Sequence, residues 1–163
     1  MRSLPLTWRQ GPSAVVAPWF LLAALAATAL DLGFAMLFWA GEGVAPLRIP
    51  QSIAAWAVGA EAFAGGARTA AMGVLVYLAL IWGLARLHAM AARRLPVLRR
   101  NPVRGGLLYG ASMYVVVFHL AVPLFAVDGA APARLDWIMA CVLAYMLLIG
   151  LPCAWATHRM LRH

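Results

Sequence analysis

The fold is decided by an uninterrupted apolar stretch near the start of the chain, AVVAPWFLLAALAATALDLGFAMLFWA, which runs from Ala14 to Ala40. Its one charged residue is Asp31. A helix needs about 20 apolar residues to cross the hydrocarbon core of a bilayer, and this stretch exceeds that length. It is too long for a signal-peptide core, and no small-residue cleavage site follows it at the expected place, so we expect a membrane span.

Three more apolar runs follow, and each is long enough to cross a bilayer. The runs are apolar on all sides, whereas the strands of a membrane barrel would carry polar residues at every second position. The sequence therefore predicts an all-α integral membrane protein, a four-helix bundle that forms one membrane domain over residues 1–163. The expected spans are about 14–40, 69–88, 105–125 and 135–157.

The composition of the whole chain excludes the common soluble classes. Hydrophobic residues make up 65% of it and charged residues 11%, against roughly 45–50% and about 25% in soluble domains. A soluble domain of ~150 residues still exposes about 30% of its unfolded surface, which would leave too much apolar area in water. An ordinary soluble enzyme, a disordered chain and a disulfide-stapled secreted domain are thus excluded.

The positive charge is carried by arginine alone, with 13 Arg, no Lys and a net charge of +8. Ten of these arginines lie at the two termini or around the loop between the second and third spans. The positive-inside rule then predicts that both termini face the cytoplasm of a bacterial inner membrane. The loop over residues 93–104 should attract anionic lipid at ~1 kcal/mol per Arg, and nucleic acid is not expected as a partner.

The loop between the first two spans contains a short apolar segment that is too short to span a membrane. Pro50 suits the first position of a helix and Gly59 suits a C-terminal stop. The sequence therefore predicts a helix over about residues 50–58. Two placements stay open for residues 46–66: the segment lies in the outer interface, or it dips into the membrane as a re-entrant segment.

Four polar side chains, one from each predicted span, fall at a similar depth: Asp31, Tyr77, His119 and Tyr145. A carboxyl group in a span is expected to face the protein interior, because lipid offers it no hydrogen-bond partner. We expect His119 to be the partner of Asp31, with Tyr77 or Tyr145 as substitutes, and such a pair could relay protons. In the alternative, the tyrosines are interfacial anchors and His119 makes one inter-helix hydrogen bond.

Other motifs are weaker. Gly106 and Gly110 form a GxxxG pair, which marks either a dimer face or close packing of helices within one chain. His88 and His158 lie at the predicted cytoplasmic ends of their spans and could ligate haem or a metal, but no third ligand has a suitable spacing. We therefore expect no metal site, no cofactor and no catalytic residues, since no enzyme motif is present.

Several of these segments together resemble a group of small, uncharacterised bacterial inner-membrane proteins with four predicted spans. The resemblance covers about residues 20–157 and implies the same topology; some members are labelled symporter-like. The residues that carry it are Asp31, Gln51-Ser52-Ile53-Ala54, Gly59, Phe63, Gly65-Gly66, Gly106-Leu107-Leu108-Tyr109-Gly110 and Val122-Pro123-Leu124.

Two functions are consistent with these patterns. The first is a non-enzymatic membrane protein that packs with, or stabilises, another membrane component, either as a homo-oligomer or in a larger complex. The second is a small proton- or cation-coupled transporter that uses Asp31 and His119. A transporter predicts a polar cavity that opens near Asp31, whereas a packing role predicts a dry interior.

The topology can be tested with reporter fusions. Fusions at His163 should report a cytoplasmic position and fusions at Gly129 a position on the other side, because the arginines concentrate at the termini and in the loop after the second span. The measurement is the activity of a side-specific reporter at each site. A cytoplasmic Gly129 would contradict the four-span topology.

Overall fold

A computed structural model describes residues 13–125 and 134–162 of the chain. These residues are mainly helical and contain no strand, and four of their helices are long and apolar enough to cross a membrane. Arg2, Arg9, Gly129 and His163 lie outside the described residues. The helices are α1 (Ser13–Ala40), α2 (Arg48–Val58), α3 (Gly66–Arg94), α4 (Pro96–Arg100), α5 (Pro102–Phe125) and α6 (Leu135–Met160).

The long helices extend beyond the apolar runs where the local sequence provides a start or a stop. Helix α3 continues past the expected end at residue 88 and stops before Pro96. It stops there because a proline disfavours helical backbone at the residue before it. Helix α5 begins with Pro102 in its first turn, where the missing N–H costs nothing. The Asn101 side chain caps this helix by accepting a hydrogen bond from the Arg104 backbone N–H at 3.1 Å.

The short helix α2 occupies the segment in which the sequence predicted a helix over about residues 50–58, and it begins two residues earlier. It ends at Gly59, whose φ of 73° is a left-handed conformation that favours glycine. Helix α2 packs on α3 so closely that a Cβ atom at Gly73 would overlap the Pro50 carbonyl. The Gln51 side-chain amide also donates a hydrogen bond to the Gly66 carbonyl at 3.1 Å. We call this end of the molecule the α2 end.

The four long helices share one apolar core, in which α6 contacts α1, α3 and α5. The side chains of Ile81 and Ile149 are fully buried at its centre. Opposite the α2 end, the Trp19 and Trp155 rings pack edge to face at 5.5 Å between centroids. The Arg159 guanidinium lies over both of these rings. We call this the Arg-rich end.

Helices α5 and α6 touch through their backbones at a seam of small residues. A Cβ atom at Gly106 would lie 2.8 Å from the Gly150 carbonyl oxygen and 2.9 Å from the Ala154 Cβ. Gly110 lies against the Tyr145 carbonyl. The GxxxG pair thus packs one helix on another within the same chain, since only residues this small allow such an approach. Each helix also contains a π-helical turn, Val117–Ala121 in α5 and Tyr145–Gly150 in α6.

The seam makes a direct prediction about stability. The substitution Gly106→Ala should lower the free energy of unfolding by about 1–3 kcal/mol, because the added methyl group forces α5 and α6 apart. The matched control is Gly83→Ala, where a Cβ atom meets nothing within 4 Å. The thermal midpoint of the purified protein in detergent, followed by tryptophan fluorescence, checks both. Equal midpoints for the two variants would contradict the seam.

Candidate functional site

One face of α1 places Asp31 inside the protein. The buried positions of this helix recur at spacings of three and four residues, which corresponds to a single helical face. Asp31 is the one charged residue on that face and is 8% exposed. The buried residues of α1 are Phe20, Ala23, Ala24, Ala27, Thr28, Asp31 and Leu32.

The Asp31 carboxyl group has a hydrogen-bond donor on α3. The Tyr77 hydroxyl donates to Asp31 Oδ2 at 2.5 Å. Tyr145 of α6 is also buried and adjoins both groups. A carboxyl group and two phenols from three helices therefore meet in the core. This donor matters because a buried carboxyl group without a hydrogen bond would destabilise the fold by several kcal/mol.

A cavity of about 410 Å³ connects this cluster with α2. Its walls are mainly apolar, and α5 contributes Val117 and Phe118 to them. Two exposed residues of α2, Arg48 and Ser52, line its other end. The cavity thus runs from the surface at the α2 end down to Asp31. Small-molecule sites typically have roughly 300–1,000 Å³ and apolar walls with a few polar groups, as this one does.

An exposed ionic cluster lies beside Trp39, a residue of the cavity wall. Arg134 Nη1 lies 3.0 Å from Glu42 Oε2, and Arg134 Nη2 lies 2.7 Å from Asp136 Oδ2. These contacts tie the loop after α1 to the start of α6. The Arg134 guanidinium holds the pKa of the Glu42 carboxyl below its usual value. The stabilisation from the Glu42–Arg134 pair is therefore complete at pH values above the usual pKa of a glutamate. It is lost as the pH falls through the lowered pKa of Glu42 in the folded protein.

The structure brings together three of the four polar residues predicted for the site. Asp31, Tyr77 and Tyr145 line one cavity, whereas the His119 side chain is exposed and its ring packs against Tyr114 at 5.8 Å. The predicted Asp31–His119 pair is thus corrected to Asp31–Tyr77. The prediction relied on depth, but depth does not fix direction around a helix. His119 is two residues after the inward-facing Val117, which places it on nearly the opposite side of α5.

Sequence reasoning missed most of the cavity wall. On α6 the wall contains Trp137, Cys141 and Tyr145, which are spaced four residues apart and so lie on one helical face. On α1 it contains Phe34, whose ring is parallel to the Trp137 ring with 6.4 Å between centroids. The spacing on α6 was visible in the sequence. The pairing of that face with α1 was not, because it depends on how the helices pack.

The two histidines considered for haem or metal differ in their surroundings. His88 is 1% exposed, and its Nδ1 lies 2.7 Å from the Thr157 hydroxyl. The Tyr109 ring packs edge-on against it at 4.8 Å. His158 is half-buried. Among the residues the structure describes, no group of three His, Cys, Asp or Glu side chains could hold a metal ion. His88 therefore contributes to the closed core near the Arg-rich end.

Comparison with known proteins does not assign the chain to a family. No family model, curated protein or solved structure matches it. Conclusions about its function therefore depend on the residues around the cavity.

The two cysteines of α6 test whether the cavity admits small molecules from the α2 end. Cys141 lines the cavity, whereas Cys153 is buried outside it. We expect methyl methanethiosulfonate to modify Cys141 faster than Cys153, because a thiol must be reachable to react. The modification rate of each thiol can be measured by mass spectrometry on the variants Cys141→Ala and Cys153→Ala. Modification of Cys141 as slow as that of a thiol in the folded core, with both thiols reacting only after unfolding, would show that the cavity is closed to small solutes.

Proposed function

We propose that this chain is a small membrane transporter that binds its solute in the cavity and couples solute movement to protonation of Asp31. The observation that carries the proposal is the cavity itself, which runs from the exposed end of α2 to a buried carboxyl group. A helix packing role alone needs no such space. Intramembrane carboxyl groups that a cavity reaches are typical of ion and solute pathways.

The coupling follows from the surroundings of Asp31. An ionised carboxylate in an apolar site is unfavourable. The stable states of Asp31 are therefore the protonated carboxyl and a carboxylate that is paired with a bound solute, which supplies charge or a hydrogen bond. Its titratable neighbours are Tyr77 on α3 and Tyr145 and Cys141 on α6. A solute that reaches the carboxyl therefore competes with the proton, and this competition couples the two movements.

The half of the molecule between Asp31 and the Arg-rich end is closed, which supports a state in which the cavity opens only at the α2 end. Beyond Asp31, the core is filled by Ile81 and Ile149, and the glycine seam joins α5 to α6. Transport requires a second state in which the Arg-rich end opens and the α2 end closes. In the proposed cycle the four-helix bundle alternates between these two states, and α2 lies beside the entrance.

The arginine distribution orients the proposed transporter. Ten of the 13 arginines belong to the predicted cytoplasmic side, so the cavity of this state would open to the periplasmic side of a bacterial inner membrane. The other function expected from the sequence, packing with another membrane component, stays a prediction. The mainly apolar walls are also compatible with a packing role, and what favours the transporter is the pair of polar ends of the cavity, Asp31 at one and Arg48 with Ser52 at the other.

Proteoliposomes that contain the pH dye pyranine test the proposal. Small aromatic solutes of each charge class are added outside: phenyltrimethylammonium, methyl phenyl sulfone and benzenesulfonate. At least one should change the internal pH at a rate that depends on the protein. The substitution Asp31→Asn should abolish this change, because the amide cannot carry the exchanged proton.

The matched control is Asp136→Asn, which alters an exposed aspartate of α6 outside the cavity lining. This variant should keep the wild-type rate. Circular dichroism and gel filtration establish that both variants fold. If no solute causes proton movement in the wild type, or if Asp31→Asn moves protons at the wild-type rate, the proposal is wrong.

A further inference from the structure

The cavity wall is rich in aromatic rings. Those that line it, apart from the two tyrosines beside Asp31, are Phe34, Trp39, Trp56, Phe63, Phe118 and Trp137. The face of an aromatic ring carries partial negative charge, and it attracts a cation within about 6 Å of its centroid. Sites that recognise quaternary ammonium groups are built from several such rings.

Cations already occupy two of these rings. The Arg48 guanidinium lies over the Phe63 ring at 5.2 Å, and the Arg134 guanidinium lies over the Trp39 ring at 5.8 Å. Both contacts are formed by exposed arginines at the entrance. Two rings of the wall thus already bind a positive group through their faces.

The two charged residues that line the cavity lie at opposite ends of it. Asp31 is the one acidic residue among those that line it, and it lies at the inner end. Arg48 is the one basic lining residue, and it lies at the entrance over Phe63. At the border, Arg134 is flanked by the carboxylates of Glu42 and Asp136. A cation that passes Arg48 therefore meets aromatic side chains and then a carboxyl group, with no further positive side chain in the lining.

The geometry points to a lipophilic monovalent cation, an aromatic or quaternary amine, as the class of molecule that this cavity binds. This inference rests on the proposed function in so far as the cavity must admit a solute. An anion gains no charge pairing with Asp31, whether that group is protonated or ionised, and the ring faces repel it. A neutral solute of the same shape gains apolar contact but neither the charge pairing with Asp31 nor the attraction of the ring faces.

Three water-soluble probes of similar shape separate these cases. Phenyltrimethylammonium, methyl phenyl sulfone and benzenesulfonate each carry a phenyl ring on a tetrahedral head, and they differ in charge. Their affinities are measured by isothermal titration calorimetry on the protein in phosphatidylcholine nanodiscs, with empty nanodiscs subtracted. The cation should bind at least about tenfold more tightly than the other two. Equal affinities, or tighter binding of the anion, would overturn the inference.

Two pairs of variants identify the groups responsible. Asp31→Asn should weaken binding of phenyltrimethylammonium by about tenfold or more. Glu61→Gln, which alters an exposed acidic residue outside both the cavity lining and the Arg134 cluster, should leave it unchanged. Trp56→Leu removes a ring of the wall and should weaken binding about fivefold. Trp82→Leu, which removes an exposed ring outside the cavity, should have no effect. Equal binding by Trp56→Leu and Trp82→Leu would show that the aromatic wall does not hold the cation.

The outcomes distinguish this inference from the proposed function. If the sulfone or the sulfonate drives Asp31-dependent proton movement and the cation neither binds nor moves protons, the transporter proposal stands and the cation inference fails. If the cation binds in an Asp31-dependent way but no solute moves protons, the site is a cation-binding site and the transporter proposal fails.

Discussion

The backbone contact between α5 and α6 is the constraint on which the rest of the structure depends. At Gly106 and Gly150 the two helices approach until one backbone meets the other, a distance that no larger residue permits. In a membrane there is no hydrophobic driving force between helices, so close packing of this kind must hold them together. The seam fixes α5 against α6, and α6 in turn contacts α1 and α3.

The cavity lies beyond the end of this close contact between α5 and α6. Where the seam ends, bulky side chains take the place of glycine: Phe118 on α5 and Trp137 on α6. Both rings line the cavity. The Asp31 carboxyl lies at the boundary between the two regions, beside Tyr77 and Tyr145. It is therefore accessible from one side and backed by packed side chains on the other.

Much of the fold could be predicted from the sequence, and less of the site. Apolar length and composition predicted the membrane helices, because bilayer thickness sets a simple requirement. The need of a carboxyl group for a partner predicted that Asp31 faces inward. The choice of His119 as that partner was wrong because depth along α5 leaves the direction of the side chain undetermined. The aromatic wall was missed because it forms only when faces of separate helices meet, as Phe34 meets Trp137.

The π-helical turns in α5 and α6 lie where each helix passes from the glycine seam to the cavity. A π turn inserts a residue without completing an extra turn, so it offsets the phase of the side chains that precede it from those that follow it. In α6 the turn Tyr145–Gly150 lies between the Trp137 face and Ala154. The face of α6 that lines the cavity and the face that forms the seam are consequently out of register with each other. Tyr145 of the cavity and Gly150 of the seam stand at the two ends of this one turn, so a shift of its register would alter the cavity and the glycine contact together.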